Sequence, residues 1–83
     1  MALPANVDQE KLAEAAMAIL SLTAFSHQGV ERAWKGLDWD LLGLLHAKGW
    51  IHDPVGKAKS VVLTQEGTRL APQFLERHFG SNR

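Results

Sequence analysis

Cysteine and tyrosine are absent from this 83-residue chain, and its acidic and basic side chains cancel to a formal net charge of zero. Without cysteine, neither a disulfide nor a thiolate metal site can support the fold. A balanced charge excludes the strongly basic domain that binds nucleic acid through electrostatics alone. No apolar run approaches the roughly 20 residues needed to cross a membrane. The opening MALPANVDQEK has no basic segment ahead of an apolar one, as a secretory signal would require. These absences point to a cytoplasmic chain that does not contact membranes.

What is present is ordinary for a globular domain: 46% hydrophobic and 22% charged residues. This length supports one small core and no second one. The expected organisation is a flexible segment over 1–7, a single domain over 8–79 and a flexible end over 80–83. A domain of this size buries only about two thirds of its unfolded surface, so its stability is marginal. Homodimerisation is the remaining common way to cover apolar area. Charge is mildly polarised: residues 1–31 carry a net −3, residues 32–59 a net +2 and the remainder +1.

Asp8 is placed to cap a helix with Glu10 in its first turn. Leu12, Ala15, Ala16, Ile19, Leu20 and Phe25 fall mainly on one face at helical spacing, and His27-Gln28-Gly29 reads as the polar stop. Val30–Gly36 alternates as a short strand. Asp38 caps a second helix with Leu41, Leu42 and Leu45 inward, and Gly49 supplies its left-handed stop. Trp50–His52 and Ala58–Leu63 read as strands about an Asp53–Gly56 turn, with β-branched Val61 and Val62 favouring the extended state. Thr64 caps a last helix that presents Leu70, Phe74 and either Leu75 or Phe79 inward. Pro72 predicts a kink or restart in it.

Asp38 to Leu70 thus has the order of a winged-helix core. LLGLLHAKGWIHDPVGKAKSVVLTQEGTRL, from Leu41, resembles the second half of winged-helix regulators of the multiple-antibiotic-resistance type. Leu45, Lys48, Gly49, Ile51, Val62, Leu63, Thr64 and Gly67 stand at the matching positions. Over nearly its whole length the chain more closely resembles a small bacterial family of uncharacterised domain proteins. The shared features are AWKG-x-DWD at Ala33–Asp40, LH-x-KG at Leu45–Gly49 and DPVGKAKSVVLT at Asp53–Thr64. The first resemblance implies a DNA-binding fold; the second implies no activity. The expected fold is α+β and winged-helix-like: helix, short strand, helix, β-hairpin, helix, with the usual second helix shortened or missing.

The outward face of the second helix departs from a DNA-reading one. Asp40, Gly43, Leu44 and Ala47 lie there, with Trp39 and His46 nearby. Two carboxylates at the helix start repel phosphates, and no Arg, Asn or Gln is available for base edges. Trp39, Gly43, Leu44 and Ala47 are therefore candidates for a protein interface, open unless another helix covers them. Trp34 and Trp50 are expected to close the core. Arg32, Lys35, Lys57 and Lys59 form the best basic patch, for phosphate contact through the wing.

Enzymatic signals are missing. Gly56-Lys57-Ala58 is not a phosphate loop, because Ile51 and Ala58 stand where glycine and Ser or Thr are required. His27, His46, His52 and His78 show no i,i+4 pairing, and Ser21, Ser26 and Ser60 have no identifiable base. Helix capping accounts for Asp38 and Asp40. The chain reads as a small interaction or regulatory module, homodimeric or bound to a protein partner, without catalytic residue, metal or cofactor. A DNA-binding regulator anchored by its wing lysines is the alternative.

Overall fold

The computed structural model describes residues 3–81; the expected flexibility of 1–2 and 82–83 lies outside the described residues. Three helices and a three-stranded antiparallel sheet follow one another as α1 (Gln9–Ser21), β1 (Phe25–His27), β2 (Val30–Trp34), α2 (Trp39–Ala47), β3 (Ser60–Val62) and α3 (Gln65–Phe79). The sheet order is β1-β2-β3. Principal extents of 35 × 34 × 18 Å describe a thin slab, in which α1 packs against α2, α3 and β2.

The Asp8 carboxylate accepts from the Lys11 amide at 3.1 Å and caps α1 as expected. The helix ends earlier than its apolar spacing implied. Ser21 Oγ donates to the Ala18 carbonyl (2.7 Å) and Thr23 Oγ1 to the Leu20 carbonyl (2.9 Å), satisfying last-turn acceptors locally. The chain then turns extended, so Phe25 lies on β1 and not on the helix. His27-Gln28-Gly29 is a hairpin corner: Gln28 (φ 52°) and Gly29 (φ 79°) both take the left-handed conformation of a tight two-residue turn.

β2 pairs with both neighbours, with Arg32 opposite Phe25 on one side and Val62 on the other. Ala33 and Val61 face the helices and are buried. The alternation therefore turns Trp34 outward, where 52% of it is exposed. It does not close the core as the sequence suggested. Trp50 does, with its ring centroid 4.8 Å from that of Phe74. Ile19, expected inward, is also exposed; Ala13, Ala16, Met17, Ala18 and Leu20 form the buried face of α1.

The hairpin thus precedes α2, and the expected later one is reduced. Ile51 forms a single bridge with Leu63, and the His52 amide donates to the Val62 carbonyl at 2.9 Å. Among the described residues no helix stands between α1 and α2. The segment between them is used by β1 and β2.

Gly49 (φ 81°) ends α2 as predicted. The Trp50 amide reaches back to the Leu45 carbonyl and that of Gly49 to the His46 carbonyl, the two bonds of a Schellman stop. Thr64 then ties this stop to α3. Its hydroxyl donates to the Gly49 carbonyl (2.7 Å) and accepts from the Gly67 amide (2.9 Å), while its own amide donates to the Trp50 carbonyl (3.0 Å). α3 runs unbroken through Pro72, so of the expected kink or restart the helix does not restart there. Pro72 is exposed, and buried Ala71 and Phe74 on either side hold the helix together where one backbone bond is lost.

Gly67 packs so closely on the preceding segment that a Cβ there would lie 2.0 Å from the Trp50 carbonyl oxygen. Gly43, in α2, has nothing within 4 Å of that position. The same substitution at the two sites has opposite signs. Gly67→Ala should destabilise by about 1–3 kcal/mol or more through overpacking against backbone, and Gly43→Ala should stabilise by up to about 1 kcal/mol through helix propensity. Urea denaturation of both variants measures this.

Candidate functional site

α2 places Trp39, Gly43 and Ala47 four residues apart, on one outward stripe. Trp39 is 54% exposed, and Gly43 and Ala47 are exposed too. Leu44 lies at the edge of the stripe, half-buried and packed against the core. The Asp38 carboxylate accepts from the Asp40 amide at 3.0 Å, so the acidic start of this helix is its cap.

The four basic residues singled out in the sequence gather at one end of the sheet, because β2 lies beside β3. They are not equivalent. Arg32 Nε donates to Ser60 Oγ (2.8 Å) and its Nη2 to the Ser60 carbonyl (3.2 Å), clamping β2 to β3. Lys35 Nζ donates to the Gly56 carbonyl (3.3 Å) and stands 5.9 Å from the centroid of the Trp39 ring. It thereby links the 53–59 loop to the start of α2. Lys57 and Lys59 are exposed, and neither side chain has a hydrogen-bond or ion-pair partner among the described residues. The loop that carries them is shaped by Asp53, whose carboxylate accepts from the Val55 amide (2.9 Å), and by buried Pro54.

The histidines do not converge. His46 Nδ1 lies 3.2 Å from the Ile51 carbonyl, to which it donates, and His52 and His27 are exposed. Among the described residues no group of three His, Asp or Glu side chains is arranged to hold a metal. No helix among them is long and apolar enough to cross a membrane.

Three features escaped the sequence reading. An open groove of about 570 Å³ runs between the hairpin residues Gly29–Glu31 and Gln65, Thr68 and Arg69 of α3. A smaller apolar cleft of about 110 Å³ lies at the end of α1, lined by Ile19, Leu20, Thr23, Trp34, Gly36 and Leu37. It is formed by segments that meet only after the hairpin folds, so no local pattern announces it. The third feature is a charged clip between α1 and α3. Glu14 Oε1 accepts from Arg77 Nη1 and from His78 Nε2, each at 2.8 Å. The bond from His78, reinforced by Arg77 and opposed by partial burial, holds the Glu14 carboxyl below its ordinary value. Residues so far apart in sequence are paired only by the packing of α1 on α3.

These elements define a small α+β domain with an exposed tryptophan stripe and a mildly basic loop. Residues 8–81 match the model of a family described as a domain of unknown function, DUF6429. The chain belongs to that family. It is similar to the uncharacterized protein y4hR of Sinorhizobium fredii (strain NBRC 101917 / NGR234), with 42% identity over 74 residues covering 89% of this chain and 96% of that protein. No solved structure matches the chain.

The Glu14 clip predicts an acid-sensitive contribution to stability. A carboxyl whose folded value is depressed stabilises fully above its ordinary value of 4.5, and the contribution is lost as pH falls through the lower folded value. Glu14→Gln should therefore lower the thermal midpoint at pH 7. The difference from wild type should shrink as pH falls below about 4, which calorimetry across pH 3–7 would follow.

Proposed function

We propose that this chain is a small, self-associating interaction module and not an enzyme, acting in the cytoplasm. One observation carries the reading: the outward stripe of α2 presents Trp39, Gly43 and Ala47 to solvent, behind an acidic helix start. A helix that reads a DNA groove needs cationic and amide donors on this stripe. A helix that packs on a protein needs an aromatic anchor beside small residues, which is what it has. In the winged-helix reading, α2 stands at the position of the recognition helix and the 53–59 loop at that of the wing. The scaffold then keeps its geometry while its surface serves protein contact.

Sedimentation velocity across micromolar concentrations tests this. The wild-type chain should dimerise, and Trp39→Ser should raise the dimer dissociation constant about tenfold, as for loss of an interface aromatic. A wild-type monomer throughout that range refutes the reading.

A second reading is favoured by Lys57 and Lys59, which stand unpaired and exposed beside Arg32 and Lys35. In it the loop anchors the protein on DNA phosphates. Counterion release then predicts duplex retardation at low salt that weakens steeply as salt rises, and its loss in the double variant Lys57→Glu/Lys59→Glu. Absence of retardation at low salt rejects it.

A further inference from the structure

We infer that the open face of the sheet, with the 53–59 loop beside it, binds an unpaired strand of nucleic acid. Bases stack on Phe25 and Trp34 while phosphates meet Arg32, Lys57 and Lys59. This rests on the reading in which the loop meets phosphates, and it identifies the kind of nucleic acid and the surface that holds its bases. It is independent of self-association through α2.

The register of the sheet builds this surface. Arg32 stands opposite Phe25 on β1 and Val62 on β3, and Trp34 stands opposite Ser60. Cross-strand partners share a face, and successive residues alternate between faces. Phe25, Arg32, Trp34, Ser60 and Val62 therefore lie together, on the face opposite buried Ala33 and Val61. The Phe25 and Trp34 rings pack with centroids 5.1 Å apart and planes inclined at 32°. Trp34 nevertheless leaves 52% of its surface in water. An aromatic pair presented on an open sheet is a platform for nucleobases, since every base has a π face.

Charge selects this occupant. The alternation puts no Asp or Glu on the face: Glu31 lies on the other one, where the Ser26 hydroxyl donates to it. Ser60 holds the Arg32 guanidinium through Nε and Nη2, which leaves Nη1 for a phosphate oxygen. The Lys35 amide donates to the Lys59 carbonyl at 2.9 Å, and Lys59 directly precedes Ser60. The loop that carries Lys57 and Lys59 thus leaves the sheet beside Trp34. Its own acid, Asp53, is engaged by the Val55 amide. A duplex keeps its base faces inside the stack and cannot use Trp34, whereas an unpaired strand offers bases and phosphates together. The zero net charge excludes attachment through phosphates alone, so the stacking surface is needed.

Fluorescence anisotropy of the whole chain at low salt tests this. The probes are a labelled oligothymidine of about 12 nucleotides, the same strand paired with oligoadenine, and polyphosphate as a competitor without bases. The single strand should bind at least about tenfold more tightly than the duplex, and polyphosphate should displace it poorly. Trp34→Ser should weaken strand binding about tenfold, the loss of one stacked base, without altering its salt dependence. Trp34→Phe should retain most of the affinity. Lys57→Gln/Lys59→Gln should instead flatten the log–log salt slope by about 1.4, two phosphate contacts at ~0.7 each. With the wild-type chain, a bromodeoxyuridine-substituted strand should photocrosslink to Phe25 or Trp34. Equal affinity for strand and duplex, with Trp34→Ser unaffected, overturns the inference while the duplex reading stands. Crosslinks confined to Trp39 also overturn it. No binding of either probe overturns both.

Discussion

The junction where Thr64 and Gly67 meet Gly49 and Trp50 governs the rest of the structure. One threonine hydroxyl caps α3 and closes the end of α2, and the missing Cβ of Gly67 lets α3 approach the Trp50 carbonyl. That approach sets where α3 crosses the molecule. It brings Phe74 onto Trp50, and further along the helix it brings Arg77 and His78 to Glu14 on α1. The Ile51–Leu63 bridge lies inside the same junction and fixes the end of β3.

The consequence is a slab of two layers. Ala33 and Val61, paired across β2 and β3, are buried, and α1 packs against β2. The other face carries Phe25 and Trp34, whose ring centroids are 5.1 Å apart, beside Arg32. A chain this short cannot supply a third layer. It leaves Leu22, Trp34, Trp39, Val55 and Phe79 among its exposed large apolar residues. The bases collect at the adjoining edge, with Lys35 linking the loop to Trp39. The exposed outward stripe of α2 is the physical ground for the proposed protein contact.

Much of the local structure was legible. The caps at Asp8, Asp38 and Thr64 and the stop at Gly49 each depend on a side chain or a backbone preference within a few residues, and each stands where the sequence put it. The first hairpin was misread because Phe25 continues the helical spacing of Leu20 and Ile19. Spacing cannot register that Ser21 and Thr23 have already satisfied the last carbonyls. Trp34 was misassigned for a different reason. Alternation identifies two faces of a strand, but a small Ala33 gives little sign that its face is the buried one. Of the candidate site, Trp39, Gly43 and Ala47 lie on an exposed stripe, whereas Leu44 is partly taken up by the core. Arg32, placed near the other bases, is occupied in holding the sheet together.

The sequence by itself determined the helices after their caps, the α+β class, the absence of thiol and disulfide chemistry and the poverty of base-reading groups on α2. These depend on residue type and on neighbours a turn away. Only the tertiary structure decided which tryptophan is buried, that a cleft exists beside Trp34, and that Glu14 is held by Arg77 and His78. Those outcomes depend on the angle and depth at which separated segments pack, which residue type and local spacing do not fix; the approach of Gly67 to the Trp50 carbonyl is one such contact.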